Sequence, residues 1–140
     1  MLTRMIFWGT ILAGLAVVFG AFGAHIIQPY LAVLDVDPIK TPPMQVFKTG
    51  VEYQFFHAIA IIITGILYKQ KPTRMVSNAA LIFIIGIILF SGSLYVITFG
   101  YVMQRDLGFI GAITPLGGLA FIIAWGLLAY AFSKKTHTRS

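Results

Sequence analysis

No cysteine occurs in the chain. Disulfides, cysteine-ligated zinc or iron–sulfur clusters and a thiol nucleophile are therefore excluded. Charge is nearly as scarce: Asp and Glu number 4, Lys and Arg number 10, and charged residues make up 10% of 140. A soluble domain carries about 25%, so this chain has too little charge to clothe a water-facing surface. Catalytic signatures are missing as well. There is no H-E-x-x-H, no helix-pair carboxylate motif and no G-x-S-x-G; Ser91 and Ser93 in S-G-S lack a triad partner. The net charge of +6 does not describe a nucleic-acid surface, because the basic residues flank apolar runs and form no interleaved patch.

What the chain has in abundance is apolar sequence, 59% hydrophobic with a mean hydropathy of +0.91. Four runs, roughly residues 5–24, 51–68, 78–99 and 107–132, are each long enough to cross a hydrocarbon core of about 30 Å. The reading is an all-α integral membrane four-helix bundle, one domain over residues 1–140, with one sizeable connection over residues 26–49. Arg4, the first apolar run and Ala21-Phe22-Gly23 outline a signal peptide. The run is long for such an h-region and reads as a retained helix. Its small residues Gly9, Ala13, Ala16, Gly20 and Ala24 recur at spacings that let helix backbones approach closely in lipid.

Proline punctuates the long connection at Pro29, Pro38, Pro42 and Pro43. Thr41 before Pro42 reads as an N-cap, so the second helix is expected to begin near Pro42, with Met44, Val46 and Phe47 in the membrane interface. Asp35 and Asp37 lack the glycine and glutamate of a calcium loop and read as solvated. His137 reads as part of a solvated polar tail. Four crossings put both termini on one side, with Arg4, Lys69, Lys71, Arg74, Lys134, Lys135 and Arg139 and no acid. The positive-inside rule makes that side cytoplasmic.

With that orientation the polar residues gather near the outer face: His25, Glu52, Tyr53, Gln54, His57, Ser91, Ser93, Tyr95 and Thr114. Polar groups in lipid face protein or water, so these are expected to converge between the helices. Gly50, Tyr53, His57, Ala60 and Thr64 share one face of the second helix, while Phe55, Ile59, Ile62 and Ile66 form a stripe suited to lipid. Glu52 lies about 140° from His57 around the axis and turns instead toward Lys48, one helical turn away. Ser91, Tyr95 and Thr98 share a face of the third helix. Pro115 withdraws a donor from the carbonyl of Gly111 and is expected to kink the fourth. Gly20, Gly92, Gly117 and Gly118 are the expected packing and kink glycines. His25 and His57, at similar depth on neighbouring helices, are the metal or bis-histidine haem candidates, but no spacing motif supports them. The residues imply no cofactor.

Four blocks carry a resemblance: G-A-F-G-A-H at residues 20–25, T-G-V-E-Y-Q-F-F-H-A at 49–58, L-F-S-G-S-L-Y at 89–95 and I-T-P-L-G-G-L-A-F at 113–121. In this order, and over nearly the whole chain, they resemble the YwdK/YgdD-like small bacterial membrane proteins, domain-of-unknown-function family number 423. The resemblance implies four transmembrane helices in the bacterial inner (plasma) membrane, relatives in eukaryotic membranes, and no established reaction. Its characteristic positions fall on His25, Tyr53, Gln54, His57, Ser91, Gly92, Ser93, Tyr95, Thr114, Pro115 and Gly117. The chain departs from the pattern after His25, where Ile26 and an Asp- and Pro-rich stretch replace a glycine and a shorter, more basic connection.

The leading functional reading is a non-catalytic multi-pass protein, acting in envelope integrity or as an accessory subunit of a larger membrane complex. Its partners would be the lipid bilayer, other membrane subunits or a second copy, and no nucleic acid. Two alternatives are a small-solute or cation transporter or channel, for which Glu52 is the only acid near lipid, and a metal- or haem-binding module on His25 and His57.

Overall fold

A computed structural model describes residues 1–33 and 42–133. Asp35, Asp37, Thr41, Lys134, Lys135, His137 and Arg139, with whatever the sequence predicts of them, lie outside that range.

Among the described residues all regular structure is helical. The elements in order are α1 (Leu2–Phe22), a π-helical turn (Gly23–Ile27), α2 (Gln28–Ala32), α3 (Pro43–Gln70), α4 (Arg74–Val102), a short 3-10 turn (Gly108–Ala112) and α5 (Thr114–Ser133). Four helical stretches among these residues are long and apolar enough to cross a membrane: Leu2–Ala32, Pro43–Gln70, Arg74–Val102 and Gly108–Ser133.

The helices run longer than hydropathy alone predicts, and each extension has a local cause. Helix α1 does not end at His25 but continues through the π turn into α2. Pro29 has no N–H to give the His25 carbonyl, and its ring would collide with that carbonyl in a regular helix. The turn before it is widened instead: the Gln28 N–H bonds to Gly23, five residues back. Pro42 in extended geometry precedes α3, and Pro43 occupies its first position, where a missing N–H costs nothing. Pro72 then stops the helix soon after Gln70. The Thr73 hydroxyl caps α4 by accepting from the Val76 N–H at 3.4 Å. At the far end of α4, Gln104 takes a positive φ of 54°, and the Arg105 N–H returns to the Gly100 carbonyl at 2.8 Å.

Pro115 corrects the sequence reading. It produces no mid-helix kink, because α5 itself starts at Thr114 and Pro115 stands in its first turn. The proline marks where a 3-10 turn becomes a helix, and the donor it lacks is one a helix start leaves unpaired anyway.

Helices α3 and α4 form the central pair. Helix α1 lies along α3 and reaches α4 through side chains, and α5 lies along α4 and reaches α3 in the same way. Two apolar clusters fill the interior. One contains Met5, Ile61, Val76, Phe83, Phe121 and Leu128; the other contains Ile27, Leu31 and Phe47. Phe47 is thus core and not an interfacial residue. Gly23 leaves room for its ring, since a Cβ there would stand 2.6 Å from Phe47 Cε1. The stripe read as lipid-facing holds for Phe55, Ile59 and Ile66, which are exposed. Ile62 is only half-buried and packs against Gly9 of α1.

Candidate functional site

Along α3, Gln54 and His57 fall between Phe47 of one apolar cluster and Ile61 of the other. Here most of the polar residues marked in the sequence lie. They do not form one cluster. A helix turns about 100° per residue, so neighbouring polar residues are delivered to different interfaces.

Gln54 points toward α1 and α4. Its Nε2 donates to the Leu12 carbonyl at 2.9 Å, and its Oε1 accepts from the Tyr95 hydroxyl at 3.0 Å. One side chain therefore ties three helices, and it is only 3% exposed. The Tyr95 ring is wedged between Phe19 of α1 and Phe47 of α3, at centroid distances of 5.0 and 5.1 Å.

Tyr53 and His57 look the other way, toward α5. The His57 ring lies 3.5 Å from that of Phe121 with 9° between their planes, and the Tyr53 ring stacks on Phe90 at 4.4 Å. Phe83 and Trp125 complete the surround of His57 at 5.7 and 6.4 Å. His57 Nδ1 is 2.8 Å from the Tyr53 carbonyl. A carbonyl only accepts, so Nδ1 carries the proton.

The third tie joins α4 to α5. Ser93 Oγ is 2.8 Å from the Phe90 carbonyl and 2.7 Å from Thr114 Oγ1. With the single Ser93 proton given to the carbonyl, Thr114 is the donor between the hydroxyls. A further polar contact fastens the start of α3: the Thr98 hydroxyl is 2.9 Å from the Leu94 carbonyl and 3.3 Å from that of Pro43.

The remaining marked residues are not gathered in. Glu52 is exposed on α3, as is Lys48. His25 is exposed on the π turn, whereas every ring around His57 belongs to α3, α4 or α5. The two histidines therefore do not converge on one ligand. Among the described residues no group of three or more His, Cys, Asp or Glu side chains is placed to hold a metal ion. Ser91 is fully buried on α4, and its Oγ has no hydrogen-bond partner among the described residues. An unpaired buried hydroxyl costs stability. Ser91→Ala is accordingly expected to leave the melting temperature in mild detergent unchanged, or to raise stability by up to about 1 kcal/mol. A clear fall in the melt would reveal a partner for that hydroxyl.

Two contributors escape a reading based on polar residues. One is aromatic: Phe121 and Trp125 stand four apart on α5. The buried row Gly117, Phe121, Ala124, Leu128 and Ala131 repeats at helical spacing. That periodicity is the signal that would have found Phe121; Trp125 is half exposed and lies off the row. The other is glycine. Of the four glycines singled out, only Gly117 marks a close approach, its missing Cβ overlapping the Phe90 backbone. A Cβ at Gly20 or Gly118 would make an ordinary contact, and one at Gly92 would meet nothing within 4 Å. Gly86, on α4, is the unrecognised counterpart: a Cβ there would stand 2.5 Å from the Phe121 ring.

Residues 19–118, which hold all of these ties except the Leu12 carbonyl and the last rings of α5, match the family "Protein of unknown function (DUF423)". The chain belongs to this family. It is similar to the "UPF0382 membrane protein YwdK" of Bacillus subtilis, 39% identical over 127 residues, covering 90% of this chain and 93% of that one. It is also similar to the "UPF0382 membrane protein SAB0533" of Staphylococcus aureus, at 35% identity over 90% of this chain and 92% of the relative. The "UPF0382 inner membrane protein YgdD" of Escherichia coli is 29% identical over 89% of this chain and 85% of its own. No solved structure matches. The chain is a multi-pass membrane protein, its relatives are named as membrane proteins, and the family is one of unknown function.

Proposed function

We propose that this protein has no catalytic role and serves the inner membrane of a bacterium as an accessory subunit of a larger complex, and through it envelope integrity. Both termini face the cytoplasm. The observation that carries this reading is where the interior polar groups are spent. Gln54, Tyr95, Ser93, Thr114 and Thr98 bond to one another or to backbone carbonyls of neighbouring helices. They act as a clasp that holds the bundle together, and interhelical bonds of this kind contribute about 0.6–2 kcal/mol each in membranes. Large apolar side chains on the outer faces of α1 and α5, among them Phe7, Ile11, Leu15, Leu119 and Ile122, are left for lipid or for a neighbouring subunit. The basic residues Arg4, Lys69, Lys71 and Arg74 at one end support the cytoplasmic placement.

A photo-crosslinker placed at Leu15 or Ile122 in the native host tests the subunit reading. One membrane protein captured at fixed stoichiometry from one of these faces is the expected result. Extraction as a free 15.4 kDa chain in every mild detergent, with no crosslinked product from either face, would overturn it.

A further inference from the structure

Helix α1 packs on α3, and its first two turns leave a recess against the first turns of α4. The recess has a volume of about 280 Å³. Its floor is the fully buried Ile61, its apolar walls are Trp8 and Leu81, and Arg4, Ser77 and Asn78 also line it. The three polar residues lie near the ends of their helices, while Trp8 and Leu81 follow them one turn deeper. The lining therefore changes from cationic and hydrogen-bonding to hydrocarbon over the distance at which a bilayer changes from headgroup to acyl chain.

Among the described residues the electrostatic surroundings have one sign. Lys69, Lys71 and Arg74 stand at the same end of the bundle as Arg4. Of the four acidic residues, Glu52 is in the opposite half of α3, Asp106 follows the far end of α4, and Asp35 and Asp37 belong to the connection after α2. A phosphodiester placed at Arg4 meets a guanidinium, an amide and a hydroxyl that can all donate, with no carboxylate of the described residues competing. Basic pockets between transmembrane helices bind anionic headgroups on this principle.

We propose that the recess holds one anionic phospholipid, with its phosphate at Arg4, Ser77 and Asn78 and the upper part of one acyl chain lying between Trp8 and Leu81 over Ile61. A flat lipid-facing surface would exchange lipids freely. A recess with donors at its mouth retains one of a chosen charge.

Native mass spectrometry of the full chain, released from micelles doped with equal phosphatidylglycerol and phosphatidylethanolamine, tests this. The wild type is expected to retain a single phosphatidylglycerol in preference. Arg4→Gln should lower that preference about fivefold, the effect of one cation beside an anionic lipid. Leu81→Trp fills the apolar part and should abolish retention of both lipids while leaving the cations in place, which a site for free phosphate would not notice. Lys69→Gln, at the same end but outside the recess, should change neither. All three positions are exposed, so the fold tolerates the substitutions. Equal retention of the two lipids by the wild type would overturn the proposal. So would an effect of Lys69→Gln as large as that of Arg4→Gln, or unchanged retention in Leu81→Trp.

Discussion

Gly117→Ala is expected to destabilise the protein by about 3 kcal/mol or more, a large fraction of the net stability of a domain this size. The new Cβ would overlap the backbone nitrogen of Phe90 and stand 2.8 Å from its Cα. A side chain can rotate away from such a contact, but the backbone of a packed helix cannot. Relief requires α4 and α5 to separate. That movement would also draw Phe121 off His57 and Thr114 off Ser93, whose present separations are 3.5 Å and 2.7 Å. Two effects oppose each other here, since alanine favours a helix over glycine by about 1 kcal/mol. The clash outweighs that gain at Gly117. At Gly92 and Gly126, where a Cβ would meet nothing within 4 Å, the gain stands alone. Alanine at either of those sites is therefore expected to be neutral or stabilising. Thermal melts of the three variants in one detergent make the comparison, and a Gly117→Ala melt matching Gly92→Ala would show that the α4–α5 approach is not tight.

His57→Ala is expected to cost about 3 kcal/mol, as for other buried rings cut to a methyl. It removes the plate stacked on Phe121 and opens a void bounded by Phe83, Trp125 and Tyr53. The companion variant His57→Phe separates structure from chemistry. Phenylalanine keeps the stack and gives up only the Nδ1–H bond to Tyr53, whose carbonyl still has its helical N–H partner. It should stay within about 1 kcal/mol of the wild type. If the ring is there to pack, His57→Phe restores both the melt and any cellular phenotype lost in His57→Ala. A phenotype that stays lost in a well-folded His57→Phe protein would assign the imidazole nitrogen a chemical task, and the clasp reading of this residue would have to go.

The amino-acid sequence by itself determined that the chain is helical, that four apolar stretches are long enough to cross a membrane, and to which family it belongs. Each follows from local quantities: the length of an apolar run, the near absence of charge inside it, and short blocks of residue identity. The residues of the ties were visible as well, because a Gln, a His or a Tyr in an apolar run stands out. Some starts and stops were readable for the same reason: a proline sequence before α3 and the basic turn with Pro72 after it are local signals.

Only the tertiary structure decided which polar residues meet. Tyr53 and Gln54 are adjacent in the chain, yet they face α5 and the α1–α4 side respectively, and Ser93 and Tyr95 diverge in the same way. Which helix each direction meets depends on how α1 and α5 flank the α3–α4 pair, and no periodicity within one helix encodes that. Tertiary packing also took His25 away from His57 and made Phe47 part of the core. It selected Gly117 and Gly86 from the 14 glycines as the points of closest approach. The continuation of the first helix past His25 rests on a widened turn at Gly23–Ile27 that accommodates Pro29. A glycine-, histidine- and proline-containing stretch is locally compatible with stopping or continuing. Packing of Ile27 and Leu31 against Phe47, contacts distant in sequence, favours continuing.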